Sequence, residues 1–136
     1  MRVAFATNDG KHFTDDHFGD AKMFLIYELS PQGSKYLKTI HNTTKPEGEG
    51  EHEEHHGDPR KAQGIGKLMK QNGVQVLVGK AFGPNIVRMN PQFVVVLMND
   101  PTIEDALRRL EQNYDLIVER WNQGESRKHL NLKVSG

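Results

Sequence analysis

Two almost wholly apolar runs in the second half of the chain constrain its fold more than any other feature. Residues 74–78 read Val-Gln-Val-Leu-Val, and residues 93–98 read Phe-Val-Val-Val-Leu-Met. Short continuous runs of this kind are typical of parallel strands that are covered on both faces. Parallel neighbours need a long crossover connection, which a helix usually supplies. The two runs therefore predict a sheet with helices packed on both of its faces.

The first half of the chain reads instead as strands joined by short turns. Residues 3–7 are a small and β-branched apolar run, which the turn signal Asn8-Asp9-Gly10 stops. Residues 23–29 are a second apolar run, and residues 35–42 alternate their side chains between two faces. Pro31 lies at the second position of a tight turn between them. This half therefore predicts three consecutive strands, of which the last two form a hairpin.

Three helices are predicted to follow. Asp58 and Pro59 are suited to the N-cap and first position of a helix that ends at Gly73. A short helix is predicted over residues 85–89. A long helix starts after Pro101 and keeps one apolar stripe as far as Gly124. The order of elements is therefore β-β-β-α-β-α-β-α.

This order indicates an α/β fold with three layers, α/β/α. A mixed five-stranded sheet with strand order 3-2-1-4-5, in which only strand 2 runs antiparallel, satisfies both halves of the chain. That is the ribonuclease H-like arrangement. Residues 1–123 are expected to form one such domain, and residues 124–136 a C-terminal tail.

In this topology the loops that follow strands 1, 3, 4 and 5 open at one edge of the sheet. Ligands of open α/β sheets bind at the carboxyl ends of the strands. We therefore expect His17, Gly83 and Asn85 to meet at this edge, together with the histidines of residues 43–58. Residues 79–85 lead from a strand into a helix start, where free backbone N–H groups favour an anion. The segment lacks the Gly-Lys-Ser/Thr of a nucleotide-binding phosphate loop.

Residues 43–58 differ sharply in composition from the rest of the chain. Glutamates alternate there with glycines and histidines, and no apolar residue occurs. The composition predicts a solvated, mobile loop. His52, His55 and His56 would share one face of a helical turn, and imidazoles suit zinc, copper, nickel and iron. One hypothesis is therefore a divalent-metal-binding or regulatory module that uses this loop.

Several classes of protein are disfavoured by composition. The chain has 18 acidic and 18 basic residues, which gives no electrostatic case for nucleic acid. It has no cysteine, which excludes disulfides, a thiol nucleophile and thiolate ligation of metal. No stretch is long and apolar enough for a signal peptide or a membrane span, so a cytoplasmic location is expected. A two-metal nuclease is disfavoured because the acids follow the first strand and none lies within it.

Several segments together resemble a known family. They are MRVAFATND, HFGDAKMFLIYE, the His-rich loop and GIGKLMKQNGVQVLVGKAFGPN, in this order. They resemble the dinitrogenase iron–molybdenum cofactor biosynthesis family, small proteins related to the nitrogenase accessory carriers NifX and NafY and to the C-terminal part of NifB. The resemblance covers about residues 1–123.

The resemblance implies a non-enzymatic carrier of an iron–sulfur or iron–molybdenum type cluster, accessory to metallocofactor assembly. Its expected partner is a cofactor-assembly or recipient protein, and its oligomeric state stays open. His17 is the expected metal ligand, and the Gly83-Pro84-Asn85 turn the neighbouring backbone wall. The full set of cofactor-binding candidates is His17, Phe18, Gly19, Asn8, Gly83 and Asn85, with His52, His55 and His56 as further metal ligands.

Overall fold

A computed structural model of the chain describes residues 1–44 and 59–134 and contains one sheet of six strands. The strands are β1 (Arg2–Thr7), β2 (Met23–Ser30), β3 (Gly33–His41), β4 (Val76–Gly79), β5 (Val94–Leu97) and β6 (Leu130–Asn131). Their order across the sheet is β3-β2-β1-β4-β5-β6. Strand β2 is antiparallel to both β1 and β3, whereas the pairs β1–β4, β4–β5 and β5–β6 are parallel. The predicted order 3-2-1-4-5 is present, but the predicted number of strands was wrong.

The sixth strand comes from the segment that was predicted to be a tail. Leu130 is buried against the sheet, and the guanidinium of Arg127 is buried as well. Arg127 donates hydrogen bonds to the carbonyls of Arg120, Trp121 and Asn90, at 3.0, 2.9 and 3.0 Å. Asn90 is 37 residues away in the sequence, so this bond leaves no local pattern. An arginine in a polar stretch normally indicates solvent exposure.

The helices are α1 (Pro59–Gln71), α2 (Ile86–Met89), α3 (Ile103–Gln112) and α4 (Tyr114–Asn122). The single long helix predicted between Thr102 and Gly124 is thus two helices. Asn113 breaks it, with φ −107° and ψ 19°, and its side-chain amide donates to the carbonyl of Arg109 at 2.7 Å. Asparagine competes in this way with the backbone ladder. The apolar stripe continues across the break, which is why periodicity did not reveal it.

Alternate residues of the strands divide the core into two halves. Val3 and Phe5 of β1 face the side covered by α3 and α4, whereas Ala4 and Ala6 face the side covered by α1 and α2. The three-layer α/β/α arrangement is therefore present. Among the described residues, no helix is long and apolar enough to cross a membrane.

Candidate functional site

The loop that follows β1 folds back onto the segment that follows β4. Phe18 anchors it: its backbone N–H donates to the carbonyl of Ala81 at 2.8 Å. The fully buried ring of Phe18 stacks on Phe82, with centroids 5.0 Å apart and planes 14° apart, and also contacts Phe24. Aromatic contacts of this kind stabilise the fold through buried area and geometry. Phe18, one of the predicted cofactor-binding residues, thus lies in the core beneath the site.

His17 precedes this anchor, and its side chain lies at the surface. Its imidazole rests against Gly83: a Cβ added at position 83 would lie 2.5 Å from both Cε1 and Nδ1 of the ring. Gly83 also has φ +65°, a conformation that other residues rarely adopt. Among the described residues, none forms a hydrogen bond or ion pair with either ring nitrogen of His17. The topology therefore brings together two of the predicted residues, and the imidazole is accessible to a ligand.

The loop is held from its other side by two asparagines. The side-chain amide of Asn42 donates to the carbonyls of Gly19 and Ala21, both at 2.8 Å. Asn8 donates to Thr14 Oγ1 at 3.0 Å and accepts from the N–H of Lys22 at 2.9 Å. Asn8 and Gly19, two of the predicted cofactor-binding residues, therefore take part in the hydrogen bonds that fix the loop. Sequence reasoning did not identify Asn42, because its partners follow only from the path of the folded loop.

The Gly83–Asn85 segment is a 3-10 turn that runs directly into α2. Helix α2 has only four residues, so few peptide dipoles align there to attract an anion. A positive charge comes instead from Arg88, whose Nη1 donates to Asn85 Oδ1 at 2.9 Å. Asn85 therefore lies at the predicted edge, and its side-chain oxygen is bound to Arg88.

The sequence matches the family described as dinitrogenase iron-molybdenum cofactor over residues 1–113. The chain belongs to this dinitrogenase iron–molybdenum cofactor family. The resemblance seen in the sequence is thereby confirmed, and α4 and β6 lie beyond the matched part of the chain.

The fold is also similar to a solved structure described as "Crystal structure of PH0822". The TM-score is 0.59 and the sequence identity 15%, over 83% of this chain and 90% of that chain. No curated protein matches this member of the dinitrogenase iron–molybdenum cofactor family at a significant level.

An ion pair also joins the two loops of this family member. Lys80 Nζ lies 2.6 Å from Asp15 Oδ1. The hydrogen bond from Lys80, and then its charge, lower the pKa of Asp15 below its ordinary value. The Asp15 side chain is 89% exposed, so the pair contributes little to stability. It does neutralise the lysine that stands next to the site.

A second histidine of the same loop is fixed by a carboxylate. Asp9 Oδ2 accepts from His12 Nδ1 at 2.7 Å, and Asp9 Oδ1 accepts the N–H groups of Lys11 and His12 at 2.8 Å each. The hydrogen bonds from His12 hold the pKa of the Asp9 carboxyl far below its ordinary value. This turn explains why an aspartate lies two residues after the end of β1.

The predicted loop ligands His52, His55 and His56 lie outside the described residues. Within residues 1–44 and 59–134, no group of three or more His, Asp or Glu side chains is arranged to hold a metal ion. The site that the described residues do form is the exposed imidazole of His17 on the Gly83–Asn85 turn.

Proposed function

We propose that this protein is a non-enzymatic carrier that binds an iron–sulfur or iron–molybdenum type cluster at the carboxyl edge of its sheet. His17 supplies the ligand to the metal, and the Gly83–Asn85 turn forms the wall beside it. The observation that carries the proposal is an exposed imidazole that has no hydrogen-bond partner among the described residues and lies against Gly83, where a Cβ would fall 2.5 Å from two ring atoms. Family membership supports the kind of cargo.

The ligand chemistry of the chain favours a carrier. Imidazole is a good ligand for iron and other borderline metals. The chain contains no cysteine, so stable thiolate ligation is absent from its sequence. A cluster held by one imidazole is released more readily than one held by several thiolates. A cofactor-assembly or recipient protein in the cytoplasm is the partner that such release requires.

Anaerobic loading tests this proposal. The protein is mixed with isolated iron–molybdenum cofactor, or with a synthetic [4Fe–4S] cluster that has exchangeable ligands, and then separated by gel filtration. Iron that elutes with the protein is measured. We expect the parent to retain cluster iron and His17→Ala to lose most of it. His129→Ala is the matched control, because His129 is exposed and precedes β6 at the opposite edge of the sheet.

The same experiment separates the carrier from the loop hypothesis. A variant with His52, His55 and His56 all replaced by alanine should retain cluster iron like the parent. Loss of iron in that triple variant, with full retention in His17→Ala, would reject the proposed site and assign metal binding to the loop.

A further inference from the structure

Arg88 places a guanidinium group at the same turn that supports His17. Arg88 lies one helical turn after Asn85, and long side chains on a helix point back toward its N-terminus. Its Nη1 accordingly reaches Asn85 Oδ1 at 2.9 Å. The backbone carbonyl of Arg88 accepts from Gln92 Nε2 at 3.0 Å, which fixes the residue from the other side. The guanidinium is therefore held near the Gly83–Asn85 turn.

Among residues 1–44 and 59–134, no acidic side chain neutralises the guanidinium of Arg88. Of its five N–H donors, one of the two on Nη1 is bound to the uncharged amide of Asn85. In the part of the chain that the structure describes, no carboxylate lies within ion-pair distance of it. The arginine is half-buried. By contrast, Lys80 at the end of β4 is already paired with Asp15.

Imidazole and guanidinium groups recognise different parts of one ligand. An imidazole ligates a metal ion, whereas a guanidinium fork donates charge-assisted hydrogen bonds to anionic acceptors. A metal–sulfur cluster that carries negative charge offers a metal ion to the imidazole and anionic acceptors to the guanidinium. The helix start beside the turn is too short to supply the positive field itself, since α2 has four residues.

We infer that Arg88 is an anion-binding residue of this site, oriented by Asn85, and that it selects a negatively charged metal–sulfur cluster. This inference rests on the proposed function. His17 holds the metal, and Arg88 donates hydrogen bonds to the anionic face of the same cluster. Asn85 acts as a positioning residue through its Oδ1, and does not itself contact the ligand.

The test measures affinity for an anionic synthetic [4Fe–4S] cluster at several salt concentrations. We expect Arg88→Gln to weaken binding about tenfold, as the loss of one hydrogen bond to a charged group implies, and to flatten the salt dependence. Arg88→Lys keeps the charge but loses the planar guanidinium fork, so its affinity should lie between those of the parent and of Arg88→Gln. Asn85→Ala should weaken binding and preserve the salt dependence. Arg108→Gln on α3 is the matched control, since Arg108 is 71% exposed and pairs with Asp105.

The outcomes separate this inference from the proposed function. Loss of binding in His17→Ala with unchanged affinity and salt dependence in Arg88→Gln would overturn the role of Arg88 alone. Weakened binding with unchanged salt dependence in Arg88→Gln would also overturn it, because that result indicates altered structure and not lost charge. A parent protein that binds no cluster would overturn both.

Discussion

The imidazole of His17 lies directly against Gly83, so that a Cβ at position 83 would fall 2.5 Å from two ring atoms. The two residues belong to loops that follow different strands, β1 and β4. Those strands are parallel neighbours, so their carboxyl ends lie side by side. The contact is therefore a consequence of the sheet order and of the missing side chain at Gly83.

Gly83→Ala should displace the imidazole and weaken cluster binding. The new methyl group also strains a backbone at φ +65°, which costs about 1–2 kcal/mol of stability. Gly124→Ala is the matched control: Gly124 has φ +70°, but nothing lies within 4 Å of a Cβ there. Both variants should lose similar free energy of unfolding in urea. Only Gly83→Ala should lose affinity, and equal affinity in both would refute the support of His17 by Gly83.

Asn42→Ala should loosen the loop that carries His17. It removes two hydrogen bonds to the carbonyls of Gly19 and Ala21, worth about 1 kcal/mol each, and also the two that Asn42 Oδ1 accepts from Thr44, two residues later in the chain. We expect the free energy of unfolding to fall by about 2 kcal/mol in urea titration. Asn131→Ala, which removes a bond from an exposed asparagine to the N–H of Lys133, should change it by less than about 0.5 kcal/mol. Equal losses of unfolding free energy in the two variants would show that the hydrogen bonds of Asn42 do not stabilise the loop.

The ion pair of Asp100 and Arg109 should be essential for docking β6. Asp100 is 5% exposed and lies 2.7 Å from Arg109 Nη1, while Nη2 donates to the carbonyl of Leu132 at 2.6 Å. Asp100→Ala leaves a partly buried guanidinium without its counter-charge, so we expect a loss of about 3 kcal/mol in unfolding free energy. Arg108→Ala breaks an exposed pair and should cost less than about 1 kcal/mol. Comparable losses of unfolding free energy in Asp100→Ala and Arg108→Ala would contradict the prediction.

The Asp9 turn should make stability sensitive to acid. The folded pKa of Asp9 is lowered by hydrogen bonds from His12 and Lys11. A depressed carboxyl pKa contributes stability that is present above the unfolded pKa and is lost as the pH falls toward the folded value. The difference in melting temperature between the parent and Asp9→Asn should therefore shrink progressively below about pH 4. A difference that does not change between about pH 5 and pH 2 would reject this role of Asp9.

Much of this fold follows from local pattern, and the exceptions have physical causes. The apolar runs of β1, β4 and β5 and the alternation in β3 are read from single segments. The break at Asn113 depends on a side chain that shares the carbonyl of Arg109 with the backbone. The strand β6 follows Arg127, whose guanidinium binds the end of α4 and the carbonyl of Asn90, 37 residues away. Neither leaves a periodic signal.

The same division holds at the site. His17 and Gly83 were expected to meet because sheet order alone brings their loops to one edge. The hydrogen bonds from Asn42 to the loop, and the one between Arg88 and Asn85, depend on side-chain directions in the folded loops. Asparagine and arginine are common at protein surfaces, so residue type alone did not identify Asn42 and Arg88.

The most direct test of the carrier account is whether the nitrogen of His17 binds the metal. The protein is labelled with ¹⁵N-histidine, loaded anaerobically with a cluster in a paramagnetic state, and studied by pulsed electron paramagnetic resonance. The account predicts a ¹⁵N coupling to the cluster in the parent and in His129→Ala, and its disappearance in His17→Ala. A coupling that persists in His17→Ala would contradict the account.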